Sequence, residues 1–209
     1  MAIDIAETYI LPYFRNSIEK GFERYGKSLK KNIIVSKGEE AVFALEDYLA
    51  NMLASFIIPK KVSQKKGTTI RDEYIFELIQ EAREKESTPT RIFIYDHAGK
   101  LALFTATVIP ESLNRTQLKP KDYIDFANAA YTNVVAEQQK FTGEAYLVYV
   151  LLVQRTDEIA EVLSEIAEDN IRMHNRLTGR PFVTLEQIIQ NKEPRDIIEE
   201  AENILEHHR

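Results

Sequence analysis

The sequence predicts an all-α fold, a helical bundle of six to eight helices, and three observations carry that prediction. Apolar residues recur every three to four positions along most of the chain, the period that gathers them on one helical face. Helix-start signals, a small polar residue followed three positions later by a carboxylate or amide, precede several of those stretches. Hydrophobic residues make up 44% and charged residues 29% of 209 positions, enough for a core and a solvated exterior. Strand alternatives stay open at two places, a β-hairpin near residues 90–109 and a buried strand at 145–153.

In chain order, Asp4 and Glu7 open the first helix, and Tyr9, Ile10, Tyr13, Phe14, Ile18, Phe22, Tyr25 and Leu29 form its apolar stripe. Pro12 lacks an N–H and clashes with the preceding turn, so a break is expected near Leu11. Ser36 and Glu39 read as a capping box, behind which Val42, Leu45, Leu49, Met52, Leu53 and Phe56 hold one face. Pro59 ends that helix, and the polar stretch 60–67 reads as an exposed loop. Thr69 and Asp72 start a helix that carries Tyr74, Ile75, Leu78, Ile79 and Ala82 to about Glu86.

Residues 90–109 fit two templates. β-Branched and aromatic residues flank the turn-like Asp96-His97-Ala98-Gly99, yet Asp96 could also cap a helix through Leu101, Phe104, Thr105 and Val108. Pro120 suits a first helical position, Ile124, Ala127, Tyr131, Val134 and Phe141 follow as an apolar face, and Gly143 suits a left-handed C-cap. The run 145–153 reads as a buried strand or, preferably, the buried start of a helix through Ile159, Val162, Leu163, Ile166 and Ala167. Residues 177–181 read as a turn, Thr184 and Gln187 cap a short helix, and Pro194 starts a last one with Ile197, Ala201, Ile204 and Leu205 facing inward. The predicted organisation is a helical body, 1–180, and a helical appendage, 181–209, which buries its stripe on the body or on a second copy.

Several function classes lose their support. The N-terminus lacks the basic-then-apolar pattern of a signal peptide, and the longest apolar run has nine residues against the ~18 of a membrane span. With no cysteine, disulfides and thiolate sites are excluded, and a cytoplasmic setting is expected. No phosphate-binding glycine loop, nucleophile elbow, His-Glu-x-x-His or paired Glu-x-x-His occurs, so neither a metal nor another cofactor is expected. The formal charge of −6 disfavours broad binding to phosphate backbones, leaving local distribution to decide. Asp96-His97 reads as a cap beside an exposed imidazole. His174 among Arg172, Arg176 and Arg180 reads as helix-end decoration, and Glu158, Glu161, Glu165 and Glu168 read as a solvent face.

The stretch Leu103-Phe104 to Pro110-Glu111, Leu113, Arg115, Tyr123 and Ala130-Tyr131 resembles a pattern in a group of uncharacterised bacterial proteins of similar size. That pattern runs Leu-Phe, Gly-Phe-Phe-Pro-Glu, Leu, Arg, Tyr-Tyr, Gly-x-x-Ala-Tyr. The chain departs from it with Thr107, Val108-Ile109 and Ala127. The resemblance implies a helical fold and a bacterial origin, and no activity.

One segment stands out as more than packing. Between Pro110 and Tyr131, the polar residues Glu111, Asn114 and Arg115 precede Tyr123 and Tyr131, which are eight residues apart and so share a helical face. Buried phenols need hydrogen-bond partners, so these five form either a structural polar network or a ligand- or partner-binding corner. The leading functional expectation is a non-enzymatic interaction or scaffold protein that self-associates as a homo-oligomer or meets a protein partner. A small-molecule-binding protein or enzyme with a pocket at the 110–131 corner is the alternative. Nucleic-acid binding through Lys60, Lys61, Lys65 and Lys66 is a third reading, disfavoured because that loop lacks interleaved aromatics.

Overall fold

The computed structural model describes residues 11–57, 72–110, 113 and 118–178. They form seven helices with no strand among them: α1 Leu11–Arg24, α2 Lys27–Lys37, α3 Glu39–Ile57, α4 Asp72–Glu84, α5 Thr88–Thr107, α6 Pro120–Thr142 and α7 Leu147–Thr178. This is the all-α arrangement of six to eight helices that the apolar period predicts. No helix among the described residues is long and apolar enough to cross a membrane.

Both ambiguous segments are mainly helical, but the run 145–153 is not the buried stretch expected: Ala145 and Tyr146 precede α7, Tyr146 and Leu147 are exposed, and only Leu151 and Leu152 are buried. Residues 90–109 form no hairpin, and Asp96 caps nothing, because α5 starts at Thr88 with Pro89 in its first turn. Thr105 and Thr107 donate to the carbonyls of Leu101 and Leu103 at 2.7 and 2.8 Å, which satisfies their hydroxyls inside the helix. From Leu101 to Thr107 every residue is buried, so this end of α5 has no polar face and a periodic signal has nothing to contrast. Gly99, read in sequence as a turn residue, lies mid-helix instead. A Cβ there would sit 2.6 Å from Cε1 of Tyr131, so glycine at this position permits close approach of α6.

Helix ends follow local chemistry. The Asp122 carboxylate accepts the Lys119 N–H at 2.7 Å where Pro120 starts α6, and Gly143 at φ 83° ends it as expected. The Ser36–Glu39 capping box does not form. The Ser36 hydroxyl donates to the Asn32 carbonyl at 2.7 Å within α2, and the break is made by Gly38 at φ 86°. A second break, at Tyr25-Gly26, divides the stripe that runs through Leu29 into α1 and α2. Pro12 falls in the first turn of α1, where a missing N–H costs little. Within α7, Arg155 has non-helical angles (φ −132°, ψ 23°). There the Asn128 side chain donates to the Val153 carbonyl at 2.9 Å and to Thr156 Oγ1 at 2.7 Å, an intrusion of the kind that kinks helices.

The chain divides into two compact units. One contains α1, α2, α3 and α7 from Glu165 onward. Its core holds Phe14, Ile18, Phe22, Leu29, Ile33, Val42, Leu45, Leu49 and Met52. The other contains α4, α5, α6 and α7 up to Ser164, around Ile75, Tyr95, Leu103, Tyr123, Tyr131, Val134, Leu151 and Leu152. The expected boundary at 181, the appendage beyond it and the loop at 60–67 lie outside the described residues. Leu177 and Thr178, expected in a turn, still belong to α7.

In the second unit the inward face of α6 is Tyr123, Ala127, Ala130, Tyr131, Val134, Glu137 and Gln138. Phe141, expected on that face, is exposed. Polar partners draw Glu137 and Gln138 inward instead. Arg91 Nε donates to Glu137 Oε2 at 2.8 Å, and Gln138 Oε1 accepts the Tyr146 N–H at 3.0 Å. Arg91 also donates to the carbonyls of Lys85 and Glu86, closing the end of α4. Its fork, with Lys140 at 2.9 Å, supplies the charge that burying Glu137 requires.

Candidate functional site

Of the residues proposed for the 110–131 corner, Glu111, Asn114 and Arg115 lie outside the described residues. Tyr123 and Tyr131 share one face of α6, as their spacing requires, and both are fully buried in the core of the second unit. Tyr131 packs against Gly99 and lies 6.2 Å, centroid to centroid, from the Tyr149 ring. The Tyr123 ring meets Phe126 edge-on at 6.0 Å, and its hydroxyl has no hydrogen-bond partner among the described residues. Asp96 is a mid-helix structural residue. It accepts the Tyr149 hydroxyl at 2.9 Å and pairs with Lys100 at 2.6 Å. Burial, reinforced by that carboxylate, raises the Tyr149 phenol far above its ordinary value, so it stays a protonated donor.

His97 is half-buried on α5. Glu161, Glu165 and Glu168 are exposed, and Glu158 pairs with Arg155 at 2.8 Å, consistent with the solvent face read from their spacing. Among the described residues no group of three His, Asp or Glu could hold a metal ion.

The other unit offers an open groove of about 880 Å³ between α1, α2 and the stretch of α7 from Ile166 to Asn170. Its position follows from the break at Tyr25-Gly26, where the chain turns between α1 and α2, and from Gly21, which lets α7 come close: a Cβ on Gly21 would lie 2.2 Å from Ile166 Cγ1. Tyr13, Gly21, Ile34, Val35 and Ile166 give the groove an apolar wall, and Val35 is 79% exposed there. Lys20, Arg24, Lys27, Lys30 and Lys31 also line it, against two carboxylates among the described residues, Glu23 and Asp169.

The two ends of that charge set differ. Asp169 accepts from Arg24 at 2.8 Å and, over a very short contact, from the Tyr25 hydroxyl, while Lys30 reaches the buried Glu46 at 3.4 Å. Lys20, Lys27 and Lys31 are exposed and make no ion pair among the described residues. Thus three cations face solvent beside an apolar wall on a chain whose formal charge is −6. The hydrogen bond to Asp169 raises the Tyr25 phenol, with burial adding, and burial raises Tyr13, whose hydroxyl donates to Asn170 at 2.9 Å. Both phenols therefore remain donors at neutral pH, and no histidine lines the groove among the described residues. Chemically, exposed ammonium groups beside an apolar wall can hold an anion with an apolar side.

Sequence reasoning looked for basic residues in the loop at 60–66 and passed over this cluster. A signal existed. Lys20, Lys27 and Lys31 are spaced by seven and four, the interval of a single helical face, and they lie off the stripe of Ile18, Phe22, Leu29 and Ile33. No protein-family model, curated protein or solved structure matches the chain.

Proposed function

We propose that this protein is a non-enzymatic interaction protein whose α1–α2–α7 groove receives an acidic amphipathic helix from a protein partner. The observation that carries the reading is the juxtaposition of exposed apolar surface, Val35 with Ile34, and three lysines with no ion pair among the described residues. Helix-in-groove recognition needs an apolar strip for the buried face of the ligand and charges at the edge that set its orientation. Nucleic acid suits the groove less well. Glu23 and Asp169 oppose a phosphate backbone, and both tyrosine hydroxyls are already committed to Asn170 and Asp169.

The test is fluorescence anisotropy of a labelled 16-residue amphipathic peptide with leucines on one face and glutamates on the other, titrated with the full chain. Salt-sensitive binding is expected. Lys20→Glu, Lys27→Glu and Lys31→Glu together should weaken it roughly 10- to 100-fold, because each exposed pair contributes up to ~1 kcal/mol and reversal turns attraction into repulsion. Equal binding of a lysine-faced peptide, or indifference to the triple change, contradicts the reading. Tight binding of a single-stranded oligonucleotide at the same lysines would replace it with the nucleic-acid reading.

A separate observation supports self-association. Phe93, Phe141 and Tyr146 are 72, 61 and 66% exposed in the second unit, and large apolar side chains left in water are the raw material of an interface. Light scattering of the full chain should give more than one copy per particle, and Phe141→Ser with Tyr146→Ser should reduce it to one. A strict monomer at high concentration refutes homo-oligomerisation. A cytoplasmic, bacterial setting belongs to the same proposal and rests on the absent cysteine and the sequence resemblance.

A further inference from the structure

We propose that the occupant of this groove is the chain's own C-terminal segment, residues 194–209, held there in cis. The inference rests on the helix-in-groove reading above and names its ligand. Charge complementarity is the first argument. The segment carries five carboxylates, Asp196, Glu199, Glu200, Glu202 and Glu206, against Arg195 and Arg209, whereas the groove carries five cations against two carboxylates. Chain-wide the charge is −6, so a lysine-rich groove and a glutamate-rich end are opposite departures from the average.

Shape is the second argument. Ile197, Ala201, Ile204 and Leu205 recur at the spacing of one helical face, with glutamates between them, so a helix from Pro194 would present an apolar strip bordered by negative charge. The groove presents the converse, an apolar wall at Ile34, Val35 and Ile166 bordered by lysine. A helix this short is marginal by itself and needs such a surface to persist.

Reach is the third. Asp169 and Asn170 form part of the groove, and α7 continues from them to Thr178, a rise of about 13 Å. Residues 179–193 can span about 50 Å when extended, more than enough to return to the groove even with part of that length coiled. Tethering gives the segment an effective concentration on the order of millimolar at the groove. An outside acidic helix must displace it, so the segment acts as a built-in competitor that sets how much partner is needed.

The chain has no cysteine, which makes a two-label experiment direct. Spin labels at Ser28→Cys, on α2 beside the groove, and Asn203→Cys report the distance from the segment to the groove in the otherwise intact chain. Double electron–electron resonance in excess unlabelled chain should give one narrow distance population. Lys20→Glu, Lys27→Glu and Lys31→Glu should reduce that population roughly tenfold, and adding Glu199→Lys, Glu200→Lys and Glu202→Lys should restore it. Circular dichroism of each variant confirms that the fold is retained. A broad distribution in the unmodified chain, or one indifferent to the reversals, overturns the proposal. So does a narrow distance that disappears on spin dilution, which places a second copy's segment in the groove. Anisotropy separates this inference from the reading beneath it. Changing Glu199, Glu200, Glu202 and Glu206 to Gln should raise affinity for the external acidic peptide about tenfold. Unchanged affinity removes only the cis occupant, whereas no peptide binding even in that variant removes the groove's function as well.

Discussion

Replacing Gly99 by alanine should destabilise the protein although the position lies in the middle of a helix. Alanine is better than glycine in a helix by about 1 kcal/mol, so an open site would gain stability. At Gly99 the added Cβ would stand 2.6 Å from Tyr131 Cε1 and 2.9 Å from both Cδ1 and Cζ, roughly 1 Å inside normal contact. The ring has little freedom to retreat. Tyr131 is fully buried, and the neighbouring Tyr149 ring is anchored by its hydrogen bond to Asp96. Overpacking costs about 1–3 kcal/mol, and a clash this deep against a held ring belongs to the upper part of that range, about 2–3 kcal/mol. Less the ~1 kcal/mol gained in helix propensity, the net loss should be about 1–2 kcal/mol, or a fall of about 2–8 °C in Tm for a chain of this size. Urea unfolding followed by tyrosine fluorescence should show a lower midpoint with unchanged slope. In a Tyr131→Leu background most of the Gly99→Ala penalty should vanish, because the clashing ring is gone. A Gly99→Ala protein as stable as the parent or more so would refute the close-approach account of α5 and α6.

Three further outcomes follow from the packing. Arg91→Ala should cost roughly 2–3 kcal/mol in urea unfolding, since it strands the buried Glu137 and uncaps the Lys85 and Glu86 carbonyls. Arg91→Lys should recover less than half of that loss, and full recovery would refute the role given to the fork. Glu137 is held below the ordinary carboxylate range by Lys140 first and Arg91 next, so its stabilisation is complete above the unfolded pKa and is lost as pH falls through the folded one. Acid unfolding should therefore shift to higher pH in Lys140→Ala, and an unchanged midpoint would contradict that assignment. Glu46 has the opposite sign. Burial, only partly offset by Lys30, raises its pKa, so stability falls as pH rises from the unfolded to the folded value, and Glu46→Gln should be no less stable than the parent at pH 7.

Much of the fold is legible in the sequence because most helices here have one wet and one dry side. Val42, Leu45, Leu49, Met52 and Leu53 mark α3, and Pro120 and Gly143 bracket α6, through periodicity and backbone chemistry alone. The failures share a different cause, in that tertiary contacts decide among locally equal options. The end of α5 is buried all round, which erases the contrast between helix and strand, and Gly99 serves an aromatic ring 32 positions away. Ser36 has two local uses for its hydroxyl, and Gly38 settles the helix end two residues later than the capping box implies. Phe141 yields its inward place because Arg91, distant in sequence, needs Glu137.

The candidate site was harder to read for the same reason. Tyr123 and Tyr131 occupy the buried face that their spacing implies, yet among the described residues they join a core, whereas the groove gathers Lys20, Lys27 and Lys31 from two helices and Asp169 from a third. The seven- and four-residue spacing of the lysines is the one local trace of it, and nothing local brings Asp169 to them. Individually each lysine is an ordinary solvent-facing residue, and only the turn at Gly26 and the approach of Ile166 to Gly21 set them around apolar surface.

The most direct test of the central claim is lysine footprinting by limited acetylation and mass spectrometry, with and without the leucine–glutamate helical peptide, in the chain whose Glu199, Glu200, Glu202 and Glu206 are changed to Gln so that its own segment leaves the groove free. The groove account predicts that the peptide protects Lys20, Lys27 and Lys31 while Lys37, exposed on α2 and outside the groove, keeps its reactivity. Protection spread evenly over all lysines, or binding that leaves these three as reactive as Lys37, would contradict it.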